Sequence, residues 1–244
     1  MLTLTVLGCD GSHAGAGGAA SGYLVRSWTS GTTVWLDAGP GTFANLQRYC
    51  DPRALDAIVL SHEHSDHWSD ISGFVTAVHH TLEGTRRPVP VLAAPGVQER
   101  LGRDAEGVLD WRTVGDGEGA VVGGVRMTFS ATDHGPVTLA VRLEGDGSTL
   151  GYSADSGPGW SLAALGTDLD LALCEATYTA DYEQEKAIHM SGTQAGRTAK
   201  EAGARRLVVT HRWAKIAASA VVAEAESAFG GAVGQAEVGR GFSL

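Results

Sequence analysis

The chain has 244 residues, of which 43% are hydrophobic, and a formal net charge of −10. A chain of this size can bury a sizeable core, and α/β layers of this length commonly form one unit, so we predict a single domain over residues 1–244. The acidic balance argues against a generally basic surface for nucleic acid. The first residues alternate like a strand and no apolar run approaches about 18 residues, which predicts a cytoplasmic protein without a membrane partner.

The hydrophobic pattern predicts strands and helices that alternate in two similar halves. In the first half the predicted strands are Leu2–Leu7, Gly22–Trp28, Thr33–Asp37 and Ala57–Leu60, and the predicted helices are Thr42–Tyr49 and about Asp66 to His80. In the second half the predicted strands are Val125–Ser130, Leu139–Leu143, Thr149–Ser153, Leu169–Cys174 and Leu207–Thr210, and the predicted helices are Thr193–Ala202 and Ser219–Phe229. Strands clustered in each half predict two sheets packed face to face and covered by helices, an α/β fold with four αββα layers.

The segment Ser61–His67 places three imidazoles and one carboxylate in six positions, directly after an apolar strand-like run. His62 and His64 are two apart, so on an extended segment both side chains leave the same face. Asp66 and His67 follow after the chain has turned, so their side chains can bind a cation at a second position nearby. One loop can therefore serve two divalent cations. Histidine and carboxylate without thiolate suit Zn²⁺, with Mn²⁺ or Fe²⁺ as alternatives.

This HxHxDH loop resembles the hallmark of the metallo-β-lactamase superfamily, and His134, Asp155 and His211 follow it in the order in which that family places its remaining ligands. The resemblance implies the αββα fold and a dinuclear site. It implies His62, His64 and His134 on one ion, Asp66, His67 and His211 on the other, and Asp155 between them. In the family a hydroxide shared by the two ions is the nucleophile, so the implied reaction is hydrolysis.

Three further segments, Gly151–Ser156, Glu175–Tyr178 and His189–Gly196, look like the phosphodiesterase branch that contains ribonuclease Z and cyclic-nucleotide phosphodiesterases. In that branch the histidine that opens the last segment faces the scissile phosphate. The resemblance therefore makes His189 a candidate for stabilising the phosphorane-like transition state or protonating the leaving oxygen. With Asp66 it completes the predicted catalytic residues.

The predicted substrate is a small phosphodiester such as a cyclic nucleotide. A ribonuclease Z-type endonuclease that trims the 3′ end of tRNA is one alternative, although the chain has little room for the protruding arm that grips tRNA and has no Lys/Arg-rich segment in its place. Hydrolysis of a non-phosphate substrate, such as an aryl sulfate, lactone or β-lactam, is the other alternative. The sequence leaves a homodimer open.

Several residues outside the motif carry weaker hypotheses. Glu175 is predicted to orient a metal-binding histidine from behind, or to be a plain carboxylate at a strand end. His79 and His80 are predicted to end a helix. The candidate substrate contacts are His13, Trp68, Arg212 and Lys215. For each of these four, a solvated or core position is the alternative.

Overall fold

A computed structural model describes residues 1–81, 87–101, 107–184 and 187–244. In chain order its strands are β1 (Leu2–Gly8), β2 (Gly22–Ser27), β3 (Thr33–Ala38), β4 (Ala57–Leu60), β5 (Val89–Ala93), β6 (Leu109–Thr113), β7 (Gly119–Val122), β8 (Val125–Ala131), β9 (Leu139–Gly145), β10 (Ser148–Tyr152), β11 (Leu171–Glu175), β12 (Leu207–Thr210), β13 (Val233–Gln235) and β14 (Gly241–Ser243). The helices are α1 (Thr42–Leu46), α2 (Ile71–His80), α3 (Val97–Leu101), α4 (Gly192–Glu201) and α5 (Ala218–Phe229).

In the described ranges these strands form two sheets of seven, in the orders β14-β1-β2-β3-β4-β5-β6 and β13-β12-β11-β10-β9-β8-β7. Strands β3 to β6 are parallel to one another, and so are β10 to β13. Within each parallel group the carboxyl ends of neighbouring strands lie along one edge of the sheet, where ligands bind in open α/β sheets. The loops after β4, β10, β11 and β12 therefore start from such edges.

The alternation of side chains along β11 shows why both faces of this strand are apolar. Leu171 and Leu173 belong to the core between the two sheets, whereas Ala172 and Cys174 face the layer that also contains residues of α4 and α5. Successive residues of a strand point to opposite faces, so a strand covered on both sides has no polar face. This arrangement confirms the predicted αββα sandwich.

Helix α4 begins immediately after the segment that carries His189. Its first turn is closed by a capping box, in which Ser191 accepts a hydrogen bond from the Gln194 backbone N–H and the Gln194 side chain accepts one from the Ser191 backbone. Gly192 and Gly196 face α5 so closely that a Cβ at either position would lie 2.4 Å from a carbonyl oxygen of that helix. The close packing fixes the segment ahead of α4 against the second sheet.

The observed elements confirm most predicted positions and correct some boundaries. Strands β4 and β12 coincide with their predictions, but α1 ends at Leu46 rather than Tyr49. The helix predicted from about Asp66 begins at Ile71, because a short 3₁₀ turn over Ser65–His67 precedes it. Strands β5, β6, β7, β13 and β14 were not predicted. No helix of the described ranges has both the length and the apolar character needed to cross a membrane.

Candidate metal centre

Four loops bring the predicted ligands together. The HxHxDH segment follows β4, His134 lies between β8 and β9, Asp155 follows β10, and His211 follows β12. Their side chains converge despite sequence separations of up to 149 residues between His62 and His211. The structure thus juxtaposes all seven residues that the sequence analysis selected.

The first group contains His62, His64, His134 and Asp155, whose candidate ligand atoms all lie within 4.8 Å of one another. His64 Nδ1 lies 3.0 Å from His62 Nε2 and 3.2 Å from His134 Nε2. Asp155 Oδ2 lies 3.6 Å from His62 Nε2 and 3.9 Å from His134 Nε2. Three ring nitrogens and one carboxylate oxygen therefore face a common point.

The second group contains Asp66, His67 and His211, whose candidate ligand atoms again lie within 4.8 Å of one another. Asp66 Oδ2 lies 3.6 Å from His67 Nε2 and 3.4 Å from His211 Nε2. The other oxygen of Asp155, Oδ1, lies 3.2 Å from His67 Nε2 and 3.3 Å from His211 Nε2. The two oxygens of the Asp155 carboxylate thus face different groups.

The hydrogen bonds behind the rings determine which nitrogen carries the proton. The Nδ1 of His67 lies 2.8 Å from Asp37 Oδ2, and the Nδ1 of His134 lies 2.8 Å from the Ile188 carbonyl oxygen. Both partners only accept hydrogen bonds, so each Nδ1 is the protonated nitrogen. The Nε2 of each ring therefore points into the site and offers its lone pair to a cation whenever it carries no proton.

His62 and His211 are oriented in the same way through hydroxyl groups. Ser61 donates its hydroxyl hydrogen to Asp37 at 2.8 Å, so it accepts from the His62 Nδ1, which lies 3.0 Å away. Thr177 donates to Glu175 at 2.8 Å and accepts from the His211 Nδ1 at 3.0 Å. Such partners fix ring orientation and tautomer in metal sites.

This arrangement fits divalent cations. Among the described residues, His67 Nε2 and Asp155 Oδ1 are buried and have no hydrogen-bond partner. A buried polar atom left without a partner costs on the order of 1–3 kcal/mol. Lone pairs of several rings that face carboxylate oxygens repel one another unless a proton or a metal cation lies between them. Nitrogen and oxygen donors without sulfur suit Zn²⁺, Mn²⁺ or Fe²⁺.

The pKa shifts differ between the ligands. Burial opposes protonation of His67, but the carboxylates of Asp155, Asp66 and Asp37 outweigh burial and raise the pKa of this ring well above its ordinary value, so a cation bound there has to displace a proton. Burial, reinforced by the neighbouring His67, lowers the pKa of His62 well below its ordinary value, which keeps the ring neutral. For Asp155 burial opposes ionisation, but the nearby His211 and His67 outweigh it and hold the pKa well below its ordinary value. Neutral imidazole and ionised carboxylate are the forms that bind metals.

His189 lies beside this centre but is held differently. Its Nδ1 is 2.9 Å from Glu175 Oε1 and 4.0 Å from Asp155 Oδ2. Burial opposes protonation of the ring, but Glu175 outweighs burial and raises the pKa of His189 to about 9. The His189 ring packs between the rings of His134 and His211, with centroid distances of 5.0 and 5.2 Å.

Glu175 organises this side of the centre. Besides His189 and Thr177, its carboxylate accepts a hydrogen bond from the Ser156 backbone N–H at 2.7 Å. Its oxygens are therefore occupied by donors rather than directed at a cation. Through Thr177 it also supports His211, so the predicted orienting role of Glu175 agrees with the geometry.

Three residues at the edges that form the centre have a left-handed backbone. The φ angles are 53° at Asp37, 50° at Ala154 and 55° at His211. Residues other than glycine rarely adopt this conformation, and where they do, strain commonly accompanies function. The sharp turns aim Asp155 and His211 back across the edge of the second sheet.

The weaker candidates occupy varied positions. Trp68 packs against the core and donates its indole N–H to the Glu63 carbonyl oxygen, and His13 is exposed. Arg212 donates to the carbonyl oxygens of the loop that follows it, whereas Lys215 is exposed above aromatic rings. His79 and His80 end α2, as predicted, and both are exposed.

The sequence analysis did not select the residues behind the ligands, apart from Glu175. Asp37, Tyr152 and Thr177 are buried, and Tyr152 donates its hydroxyl hydrogen to Asp37 at 2.7 Å. The sequence contains one signal that could have identified Asp37. Strand β3 reads Thr-Val-Trp-Leu-Asp-Ala, which places a carboxylate near the end of an apolar strand. A buried carboxylate requires partners, which marks Asp37 as a candidate.

Comparison with known proteins identifies the family. The family model described as "Beta-lactamase superfamily domain" matches residues 32–212. The chain belongs to the beta-lactamase superfamily. An uncharacterized protein of Mycobacterium leprae (strain TN) is 34% identical, and the alignment covers 100% of this chain and 89% of that protein.

Two further relatives have informative names. "Probable metallo-hydrolase YhfI" of Bacillus subtilis (strain 168) is 32% identical over 86% of each chain, and its crystal structure superposes with a TM-score of 0.89, covering 100% of both chains at 29% identity. "Ribonuclease Z" of Myxococcus xanthus (strain DK1622) is 27% identical over 86% of this chain and 87% of that protein. The family and these relatives support a metallo-hydrolase.

Replacing Asp155 tests whether its carboxylate serves both groups. We expect Asp155→Ala to bind fewer than two divalent ions per chain, because both groups lose an oxygen ligand and a compensating charge. Elemental analysis after exhaustive dialysis measures the metal, and circular dichroism checks the fold. Asp110→Ala, which removes an exposed carboxylate on β6, is the control. Two tightly bound ions in folded Asp155→Ala would contradict the bridging role.

Proposed function

We propose that this protein is a dinuclear metal-dependent phosphodiesterase that hydrolyses a small phosphodiester such as a cyclic nucleotide. The observation that supports a dinuclear site is that the two oxygens of the Asp155 carboxylate face different groups of candidate ligands. Its Oδ1 lies 3.2 Å from His67 Nε2 in one group, and its Oδ2 lies 3.6 Å from His62 Nε2 in the other.

In this proposal His62, His64, His134 and Asp155 hold one cation, and Asp66, His67, His211 and Asp155 hold the other. Zn²⁺ is the first candidate, with Mn²⁺ and Fe²⁺ as alternatives. Bound there, the cations would supply Lewis acidity toward the substrate and lower the pKa of water enough to provide the nucleophile.

The protein's own contribution to the chemistry centres on His189. Its Nδ1 is occupied by Glu175, so its Nε2 remains for a substrate. From that position it can donate a hydrogen bond to a phosphate oxygen or transfer a proton to the leaving oxygen. Asp66 completes the proposed catalytic pair as the carboxylate that lies between His67 and His211, where it would help to hold the second cation. Glu175 is a positioning residue in this scheme, because it acts through His189.

The phosphodiester class is supported by the relative named ribonuclease Z, since a ribonuclease acts on phosphodiester bonds. That relative also supports a second candidate, endonucleolytic cleavage of tRNA. The net charge of −10 favours the small substrate over a long polyanion, because phosphate contacts by basic residues dominate affinity for RNA.

A substrate panel tests the proposed function. Protein loaded with Zn²⁺, Mn²⁺ or Fe²⁺ is assayed with 3′,5′-cyclic AMP, bis(p-nitrophenyl) phosphate, a tRNA with a 3′ extension, p-nitrophenyl sulfate and nitrocefin. We expect turnover of the first two, with the highest kcat/KM for the cyclic nucleotide. Preferred cleavage of the tRNA would favour the endonuclease. Turnover of only the sulfate or nitrocefin would contradict a phosphodiesterase.

A substitution of His189 separates catalysis from metal binding. We expect His189→Ala to retain both ions and to lower kcat for cyclic AMP by about 10²–10⁴, the usual range for general acid–base catalysis. If His189 is the acid, the loss should be smaller for bis(p-nitrophenyl) phosphate, because p-nitrophenolate leaves without a proton.

The control for this variant is His79→Ala, which removes an exposed histidine at the end of α2. Equal losses on the two substrates would indicate that His189 stabilises the charge of the transition state instead. Unchanged kcat values on both substrates would remove His189 from the mechanism.

A further inference from the structure

Beside the candidate metal centre lies an aromatic cluster made of Tyr178, Tyr182, Trp213 and Lys215. The Trp213 ring centroid is 5.6 Å from that of Tyr178 and 6.2 Å from that of Tyr182. The Lys215 ammonium lies 4.5 Å from the centroid of Trp213 and 5.4 Å from that of Tyr182. Three rings and one cation therefore pack together in one cluster.

Backbone and side-chain contacts join this cluster to the catalytic residues. The Tyr178 hydroxyl donates to the His189 carbonyl oxygen at 2.7 Å. The Trp213 backbone N–H donates at 3.0 Å to the carbonyl oxygen of Thr177, whose hydroxyl contacts His211. The cluster thus continues the same two loops, after β11 and after β12, that carry His189 and His211.

The residues of the cluster differ in solvent exposure. Tyr178 is 5% exposed, whereas Tyr182 is 43% exposed. Tyr182 belongs to a short 3₁₀ turn, and its ring packs against the buried Tyr178 ring and the half-buried Trp213 ring. Lys215 is also exposed, and no ion pair recorded among the described residues involves its ammonium group. An exposed aromatic ring with a cation held close to it is suited to a planar ligand that carries negative charge.

We propose that this cluster is the subsite for the nucleobase of a nucleotide substrate. The inference rests on the proposed function, and it narrows the substrate from phosphodiesters in general to nucleotides. An aromatic ring stacks on the π-face of any base, and a lysine can contact its ring acceptors or a phosphate. The Tyr182 ring meets Trp213 edge to face and has the Lys215 ammonium over one of its faces, so its other face would stack on the base.

Kinetic measurements on one substrate that has a nucleobase and one that lacks it test the subsite. The substrates are 3′,5′-cyclic AMP and methyl ribofuranoside 3′,5′-cyclic phosphate, which keeps the sugar and the phosphodiester but has no base. Base stacking contributes about 1–3 kcal/mol, which corresponds to about 5- to 150-fold in affinity. We expect Tyr182→Leu to raise KM for cyclic AMP by a factor in this range. The factor by which the same substitution raises KM for the base-free substrate should be at least fivefold smaller.

Two variants serve as comparisons. Tyr182→Phe keeps the ring and should keep KM for cyclic AMP close to that of the original protein. Trp28→Leu removes another aromatic ring that is 59% exposed and has a guanidinium, that of Arg26, 5.2 Å from its centroid. Trp28 lies at the end of β2, on a different sheet, and its loss should change neither KM.

A binding measurement tests the subsite independently of catalytic activity. Both indole N–H groups, of Trp213 and of Trp28, donate to hydroxyl oxygens, at 3.1 Å each. In ¹H–¹⁵N spectra we expect adenosine 5′-monophosphate to shift the Trp213 indole signal in a saturable way and to leave that of Trp28 in place. The shift should be lost in Tyr182→Leu. Trp213→Phe and Trp28→Phe assign the two signals.

The outcomes distinguish the two proposals. If neither phosphodiester is turned over but the nucleotide shifts the Trp213 signal, the proposed function fails and the subsite stands. If both are turned over and Tyr182→Leu changes the two KM values equally or not at all, the subsite fails and the phosphodiesterase stands. Absence of a saturable Trp213 shift would overturn the subsite by itself.

Discussion

The site depends on one electrostatic constraint, the buried carboxylate of Asp155. It is 1% exposed, and its Oδ1 has no hydrogen-bond partner among the described residues. A buried charge is tolerated only when it is paired or coordinates a metal. The outward hydrogen bonds of four of the surrounding rings turn their Nε2 atoms toward it, so cations bound there would satisfy Asp155 and these rings at once. Every other feature of the centre serves to maintain that arrangement.

The fold maintains it from two sides. The first sheet contributes Asp37, which accepts hydrogen bonds from Ser61 and Tyr152 and from the Nδ1 of His67. Because Tyr152 belongs to β10 of the second sheet, this carboxylate links the two sheets directly beneath the ligands. On the other side Glu175 supports His189 directly and His211 through Thr177. Two buried carboxylates thus hold four of the histidines, which are His62, His67, His189 and His211.

Much of the fold and the HxHxDH loop could be predicted from local signals in the sequence, whereas His134, Asp155 and His211 were predicted from the resemblance to the metallo-β-lactamase superfamily. Strands β4 and β12 are short apolar runs that end at histidine-bearing loops, and the spacing of His62 and His64 sets both on one face. Strand β5, with a proline as its second residue, and the three-residue strands β13 and β14 lack such a signal. The roles of Asp37 and Thr177 depend on contacts across the two halves, which no local pattern encodes. The same holds for the aromatic cluster, whose rings come from separate loops.

The central claim is that Asp155 links two cations, and anomalous diffraction tests it most directly. Crystals grown with Zn²⁺ would be measured on both sides of the zinc absorption edge. The account predicts two anomalous peaks about 3.5–4 Å apart, with one oxygen of Asp155 bonded to each. One peak should lie among His62, His64 and His134, and the other beside His67. A single peak, or two peaks with Asp155 bonded to only one of them, would contradict the account.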